Sequence, residues 1–302
     1  MDNHHLKNQE GQYFSPQQIP EALEILSKYG KEIKIIAGGS DLLVQYHDRL
    51  YEIAGWLDLK NLTELKKIEL NSSEVSIGAM ITHSQLEKSP QIKNYFPILS
   101  RAAAEIGSPQ IRNRGTIGGN IVNASPAGDL LSPLIAYEAK LVLLSSDEKN
   151  IIPAEQFFTG PKKTILKPNQ LLTQIILPLP PQNCYSSWVK VGKRKALAIS
   201  TIALAMVVKM SEDNQIIQGA KVCLSSIAPT PLEIKEVREE MIGKTFSQVN
   251  FTKLAQLVED KISPIDDIRG TKEYRKEVAR RIMIHCLEEI YSCWRDKCLP
   301  IN

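Results

Sequence analysis

The 302-residue chain has no apolar run near the ~18 residues that a bilayer-spanning helix requires. The longest, residues 141–144 and 202–208, suit buried strands, and no membrane partner is expected. The opening Met1-Asp2-Asn3-His4-His5 lacks the apolar centre of a signal peptide, so its two histidines read as a polar tail on a soluble, cytoplasmic protein. Charge of one sign is missing too: 37 basic side chains face 34 acidic ones, a balance too even to point to nucleic acid. Cysteine is sparse. Cys184, Cys223, Cys286, Cys293 and Cys298 are odd in number and form no C-x-x-C pair, which argues against a disulfide framework or a zinc site. The last three lie near the C-terminus without iron–sulfur spacing and are expected to pack as small hydrophobes on a terminal helix. No metal ligand is assigned. Neither common nucleotide fingerprint is present. No glycine-rich segment reads G-x-G-x-x-G, and Gly243-Lys244-Thr245 fails as a P-loop because Arg238 stands where the upstream glycine belongs.

The chain does have a 43% apolar content, ample for a real core, and the length of roughly two domains. Ser15-Pro16-Gln17-Gln18 predicts a helix capped by Ser15, with Gln18 completing a capping box, Ala22, Leu23 and Leu26 on the apolar face and Gly30 as the stop. Residues 33–37 predict a strand, Gly38-Gly39-Ser40-Asp41 a turn, and a helix opens at about Leu42. Strands are also predicted over 56–59, 75–78 and 139–145, and helices over 82–88 and 97–106. Residues 107–129, dense in Gly, Asn, Ser and Pro, read as irregular. Leu177-Pro178-Leu179-Pro180-Pro181 excludes helix and central strand, and a domain boundary is placed there. Beyond it, 187–192, 201–210 and 219–225 follow at the spacing of a strand meander, and from about Leu232 the chain reads as helical around a polar turn at 264–270.

Two glycine pairs carry the chemistry. One is Ala37-Gly38-Gly39-Ser40-Asp41-Leu42, the other Thr116-Ile117-Gly118-Gly119-Asn120-Ile121. Paired glycines permit positive φ and close backbone approach, and successive N–H groups in such turns make a concave anion site. Ser40, Thr116 and Asn120 add donors and acceptors beside it. Two such loops could hold the two phosphates of a dinucleotide; from the residues alone, a Gly-Gly turn after a strand is more often structural.

The flanking sequence narrows the choice. Gly107-Ser108-Pro109-Gln110-Ile111-Arg112-Asn113-Arg114-Gly115 precedes the second pair, and Val122-Asn123-Ala124-Ser125-Pro126-Ala127-Gly128-Asp129-Leu130 follows it. Phe157-Phe158-Thr159-Gly160, Lys190-Val191-Gly192-Lys193-Arg194 and Asp267-Ile268-Arg269-Gly270-Thr271-Lys272-Glu273-Tyr274-Arg275 come in order behind. With these segments the chain closely resembles, over nearly its whole length, the FAD-binding medium subunit of molybdenum hydroxylases, the xanthine dehydrogenase and carbon monoxide dehydrogenase flavoprotein family.

The resemblance implies an α+β fold: a two-subdomain, PCMH-type FAD-binding domain over residues 1–178, then a C-terminal domain, 179–302, joining a short antiparallel sheet to helices. It implies FAD as the cofactor. Ile36, Ala37, Gly38, Gly39, Ser40, Asp41 and Leu42 would form the first FAD loop, wrapping the pyrophosphate. Thr116, Gly118, Gly119 and Asn120 would form the second, with Ile106 and Asn123 among the cofactor-binding positions. Asp129 would hydrogen-bond the ribose or adenosine part, Leu172 would pack against the flavin region, and Lys190 would sit near the flavin's polar edge, where a cation stabilises reduced anionic flavin. No residue is implied as catalytic. Plainer readings stand beside these: Asp129 as the cap of a helix from Leu130, Lys190 as a solvated charge, Arg112 and Arg114 as phosphate, surface or subunit contacts, His47 and His83 as structural, and Tyr274 and Arg275 as ties between C-terminal helices.

The resemblance also implies partners: a large subunit with the molybdenum cofactor, which would hydroxylate a purine or another heterocycle, and a small subunit with 2Fe–2S clusters. Electrons would pass through the clusters to FAD and on to NAD or another acceptor, so complete activity would need all the subunits. Two departures bear on NAD. Pro161 stands where NAD-reducing members commonly carry tyrosine, and Ala196-Leu197-Ala198 where acidic residues are frequent. Two further readings are a free-standing FAD oxidoreductase and a non-catalytic scaffold subunit. The first often tethers flavin through a histidine or cysteine, absent from both glycine-loop segments; the intact glycine pairs speak against the second.

Overall fold

A computed structural model describes residues 11–48, 54–194 and 197–296; the Met1 to His5 tail, Ala196 and Cys298 lie outside the described residues. The chain opens with β1 (Gln12–Phe14), α1 (Ile19–Tyr29), β2 (Ile33–Ile36), α2 (Leu42–His47) and β3 (Gly55–Asp58). These strands form a parallel sheet in the order β1-β3-β2. Ala22, Leu23 and Leu26 of α1 bury against it, with Leu57, Leu59 and Leu62, as one small core. The predicted start of α1 is wrong. Gln18 is its N-cap and Pro20 lies in its first turn, while the Ser15 hydroxyl accepts from Asn61 Nδ2 at 2.9 Å.

A second, antiparallel sheet has the order β4-β5-β10-β6-β7, from β4 (Ile68–Leu70), β5 (Glu74–Gly78), β6 (Lys140–Leu144), β7 (Lys149–Pro153) and β10 (Leu171–Pro178). The small hairpin of β8 (Phe158–Gly160) and β9 (Lys163–Thr164) stands apart from it. Against expectation, Leu177 and Pro178 belong to the central strand. The pairing of β10 with β6 ends at Ile176, so Pro178 meets only β5, and its missing N–H falls where the strand has a single neighbour.

Between β5 and β6 run α3 (His83–Lys88), α4 (Pro90–Tyr95), α5 (Pro97–Ala104), α6 (Pro109–Arg114), α7 (Ile117–Asn123) and α8 (Leu131–Ala136). Residues 107–129 are thus largely helical, not irregular. Ser108 caps α6 by accepting from Ile111 N–H, Pro109 suits its first turn, and Thr116 caps α7. Side-chain caps, rather than an apolar stripe, start these short helices.

The third sheet is antiparallel, β11 (Cys184–Gly192), β12 (Ser200–Met210), β13 (Ile217–Ser225) and β14 (Leu232–Glu233) in that order. α9 (Lys235–Met241), α10 (Phe251–Lys261) and α11 (Lys272–Arg295) follow, and their apolar faces bury against Ile202, Leu204, Met206 and Val208. The opposite face of the same sheet presents Cys184, Trp188, Ala203, Ala205 and Val207 to the helices and strands of the earlier half, so one core crosses between them. The α+β expectation, with an antiparallel sheet and helices in the later half, holds. Cys286 is buried on α11, as expected, with burial pushing its thiol up to about 12. No described helix is long and apolar enough to cross a membrane.

Candidate functional site

The first glycine loop joins β2 to α2. Ile36 closes the strand, residues 37–41 turn, and Leu42 begins the helix. Gly39 takes φ 74°, and its carbonyl accepts from Leu43 N–H at 3.1 Å. Among the described residues, the N–H groups of Gly38, Gly39, Ser40 and Asp41 meet no acceptor. Gly38 lies directly on the turn between α6 and α7: a Cβ here would run into the Arg114 carbonyl and touch Gly115. One glycine pair is therefore seated against the doorstep of the other.

The second loop behaves differently from its sequence. Ile117 N–H donates to Ile81 O (2.9 Å), Gly118 N–H to Ala79 O (2.9 Å), Gly119 N–H to Thr116 Oγ1 (3.1 Å) and Asn120 N–H to Thr116 O (2.9 Å). Every one is satisfied inside the protein, so this pair forms no open nest of amides. Gly118 is glycine for packing, since its Cβ would stand 2.7 Å from both Ala79 Cβ and Ala79 O. What this element leaves available is a side chain. Asn120 Oδ1 is buried and has no partner among the described residues. A buried acceptor without a donor is costly, and a ligand hydroxyl or amine would relieve it.

Asp129 and Lys190 meet although they come from opposite sides of the proline break. Lys190 Nζ stands 2.6 Å from Asp129 Oδ2, with side-chain exposures of 5% and 10%, so the pair is held out of water. Lys190 also donates to the Glu105 carbonyl at 3.0 Å, beside Ile106. This excludes the solvated-charge reading of Lys190. Asp129 is no helix cap either: Leu130 is the N-cap of α8, without a side-chain bond, and Asp129 Oδ1 instead accepts from Ser200 Oγ at 2.5 Å. Burial raises the Asp129 carboxyl above its ordinary value, opposed by the Lys190 charge and the Ser200 hydroxyl.

The other expected positions scatter around this line. Ile106 is half-buried after α5, its carbonyl accepting from Arg112 Nη1, whose Nε pairs with Glu87 at 3.1 Å. Asn123 ends α7. Leu172 is 3% exposed in the core beneath that helix, pairing with Leu143. Next to it, Thr173 O accepts from Ala79 N–H, and Ala79 O supports Gly118. Pro161 precedes Lys162, whose N–H donates to Ala124 O at 2.9 Å, so the proline departure sits by the C-terminus of α7. Arg275 does not tie helices together. It reaches Asp267 in the preceding turn and the Ser226 carbonyl, while Tyr274 is 48% exposed.

Sequence reasoning missed Ser200 and the Glu105 carbonyl. Ser200 carried a signal: a hydroxyl heading a largely apolar strand, Ser200–Met210, needs a buried partner. A cavity of about 880 Å³ opens beside Ala37, Gly38 and Thr116, with Lys60, Lys66, Lys88 and Arg114 along it. Among the described residues no cluster of His, Cys, Asp and Glu could hold a metal ion.

Open amides suit phosphate oxygens, the orphaned Asn120 oxygen suits a hydroxyl or amine, and a buried cation suits a ring that gains negative charge. These features fit a flavin dinucleotide. Comparison with known proteins agrees. Residues 8–180 match the family described as FAD binding domain in molybdopterin dehydrogenase, and residues 187–290 the CO dehydrogenase flavoprotein C-terminal domain. The nicotinate dehydrogenase FAD-subunit of Eubacterium barkeri is 31% identical over 288 residues, covering 92% of this chain and 97% of its own. The carbon monoxide dehydrogenase medium chain of Hydrogenophaga pseudoflava is 31% identical over 281 residues, covering 93% and 97%. A solved structure of carbon monoxide dehydrogenase from H. pseudoflava superposes with a TM-score of 0.88 at 30% identity, over 93% of this chain and 97% of that one.

Proposed function

This chain belongs to the FAD-binding family of molybdopterin dehydrogenases, and from that premise we propose that it is the electron-relay subunit of a molybdenum hydroxylase. The observation that carries the reading is the division of labour at the site: unpaired amides at 38–41, an unpaired Asn120 oxygen, and a buried Lys190 beside Asp129. Ile36 to Leu42 would hold the pyrophosphate through backbone N–H groups. Thr116, Gly118, Gly119 and Asn120, with Ile106 and Asn123, would line the opposite wall, where Asn120 accepts a hydrogen bond. Asp129 orients Lys190 and keeps its ammonium at a fixed place, and Leu172 supports the floor from within the core. When bound, FAD supplies a group that takes up electrons singly and gives them up in pairs.

In this reading a partner with 2Fe–2S clusters feeds electrons in, and a partner with the molybdenum cofactor carries out the hydroxylation. NAD is one candidate acceptor; Pro161 and the apolar Leu197 favour an acceptor other than NAD. The relatives named above are subunits of dehydrogenases named for different substrates, nicotinate and carbon monoxide, so substrate choice is assigned to the partner. The division at 178/179 and a reducing, cytoplasmic setting, in keeping with buried free Cys184, Cys223 and Cys286, are part of the proposal.

The test is the visible spectrum of the purified chain, with the cofactor released by heat and identified. Twin flavin bands and free FAD are expected, with dye reduction but no substrate hydroxylation by the chain alone. A colourless protein that takes up no added FAD would sink the reading.

A further inference from the structure

Two clamps hold the segment that carries Asp129, and both lead to one carboxylate. The first is Ser200, fully buried, whose hydroxyl donates to Asp129 and whose carbonyl accepts from Arg269 Nη1 at 3.2 Å. Arg269 is itself held by Asp267 Oδ2, through Nε at 2.9 Å and Nη2 at 2.5 Å. The second clamp is Ser226, whose N–H donates at 2.8 Å to the carbonyl of Pro126, in the same segment as Asp129. The Ser226 carbonyl accepts from Arg275 Nη1, and Arg275 Nη2 donates to Asp267 Oδ1 at 2.5 Å. Asp267 Oδ2 therefore takes the Arg269 guanidinium, while Oδ1 takes Arg275 together with the Arg269 N–H at 2.8 Å.

The segment needs outside support. Its own bonds, Ala127 N–H to Ser125 Oγ (3.3 Å) and Gly128 N–H to Ser125 O (2.9 Å), shape a turn but do not place it against β11, where Lys190 lies. Arg275 is 1% exposed, so its charge depends on Asp267 for a counter-ion. Hydrogen bonds from Arg269 in the first place, and from Arg275, hold the Asp267 carboxyl far below the usual carboxylate range, so it stays ionised.

We propose that Asp267 is a positioning residue for the flavin site, acting through Arg269–Ser200 and Arg275–Ser226 to fix Asp129 against Lys190 without touching the cofactor itself. The inference rests on the FAD reading above, and its test has one arm that needs no FAD. Hydrogen exchange is followed in the full chain without cofactor, for the wild type, Asp267→Asn, Ser200→Ala and the double variant, and FAD is titrated into each. The amides of Ala127, Gly128 and Asp129 should exchange at least about tenfold faster in Asp267→Asn, and FAD should bind at least about tenfold more weakly. The double variant should match Asp267→Asn, because Ser200 lies on the same line of contacts. Equal loss of protection in β12 and β13 would make Asp267 a residue of the fold alone and overturn the proposal. Unchanged exchange at 127–129 would overturn it too. Ser200→Ala, the milder change, decides the matter if Asp267→Asn does not fold: wild-type exchange at 127–129 in that variant refutes the clamp. A wild-type chain that takes up no FAD, with exchange altered as expected, would retire the FAD reading and leave the clamp standing.

Discussion

His83 is 4% exposed and packs over Gly115, and its Nδ1 has no partner among the described residues. Burial, and after it the Arg112 charge, lowers its pKa to about 4. The folded value lies below the unfolded one, so between roughly pH 6.5 and 4 the unfolded chain binds more protons. Stability is therefore present above that window and is lost as pH falls through it, by on the order of 3 kcal/mol in full. Thermal unfolding of His83→Leu should show a flatter loss of Tm across this range; the wild-type slope in that variant would clear His83 of the effect. Gly38 makes a second residue-level case. Gly38→Ala forces a methyl into the Arg114 carbonyl, so a loss of about 1–3 kcal/mol and a weakened grip on FAD are expected in denaturant unfolding and flavin titration. Asn120→Ala should separate these two readouts. FAD affinity should drop by roughly tenfold while the cofactor-free chain melts no lower, since the variant removes an acceptor that was unpaired.

At the scale of elements, α7 depends on its cap. Thr116 Oγ1 accepts from Gly119 N–H, so Thr116→Ala should cost about 1 kcal/mol in unfolding free energy, and Thr116→Ser should recover most of it. This helix also shows where reading the sequence stopped. Elements with an apolar face were legible, as with α1, α5 and the long strands of the third sheet, because burial imposes a period on the chain. α6 and α7 have only 6 and 7 residues, start from side-chain caps, and contain glycine, asparagine and arginine in place of a stripe. Their composition says loop while their caps say helix. Pro178 misled in the same way. A proline excludes a strand only where a neighbour faces its missing N–H, and whether β6 reaches that far is a fact of register. The glycine pairs were legible as a site, but the opposite states of their amides were not, because the acceptors Ala79 and Ile81 are remote in sequence.

On the scale of the whole molecule, the Lys190–Asp129 pair ties the earlier half of the chain to the later one inside the protein. Removing one partner strands a buried charge, so Lys190→Met or Asp129→Ala alone should each cost about 3–5 kcal/mol, and the double variant clearly less than their sum. Additive losses in a denaturant double-mutant cycle would mean that the pair does not interact as its geometry says. The partner of Ser200 and the ring through Asp267 could not be foreseen at this scale, since these contacts join segments far apart in the chain. Trp188, Ala203, Ala205 and Val207, on one face of the third sheet, complete a core begun by Leu99, Leu134 and Ile175. A recombination event at the proline break would strip Trp188, Ala203, Ala205 and Val207 from that core and leave a raw apolar face on both products. A laboratory chimaera spliced at residue 178 should therefore aggregate unless both faces come from the same parent.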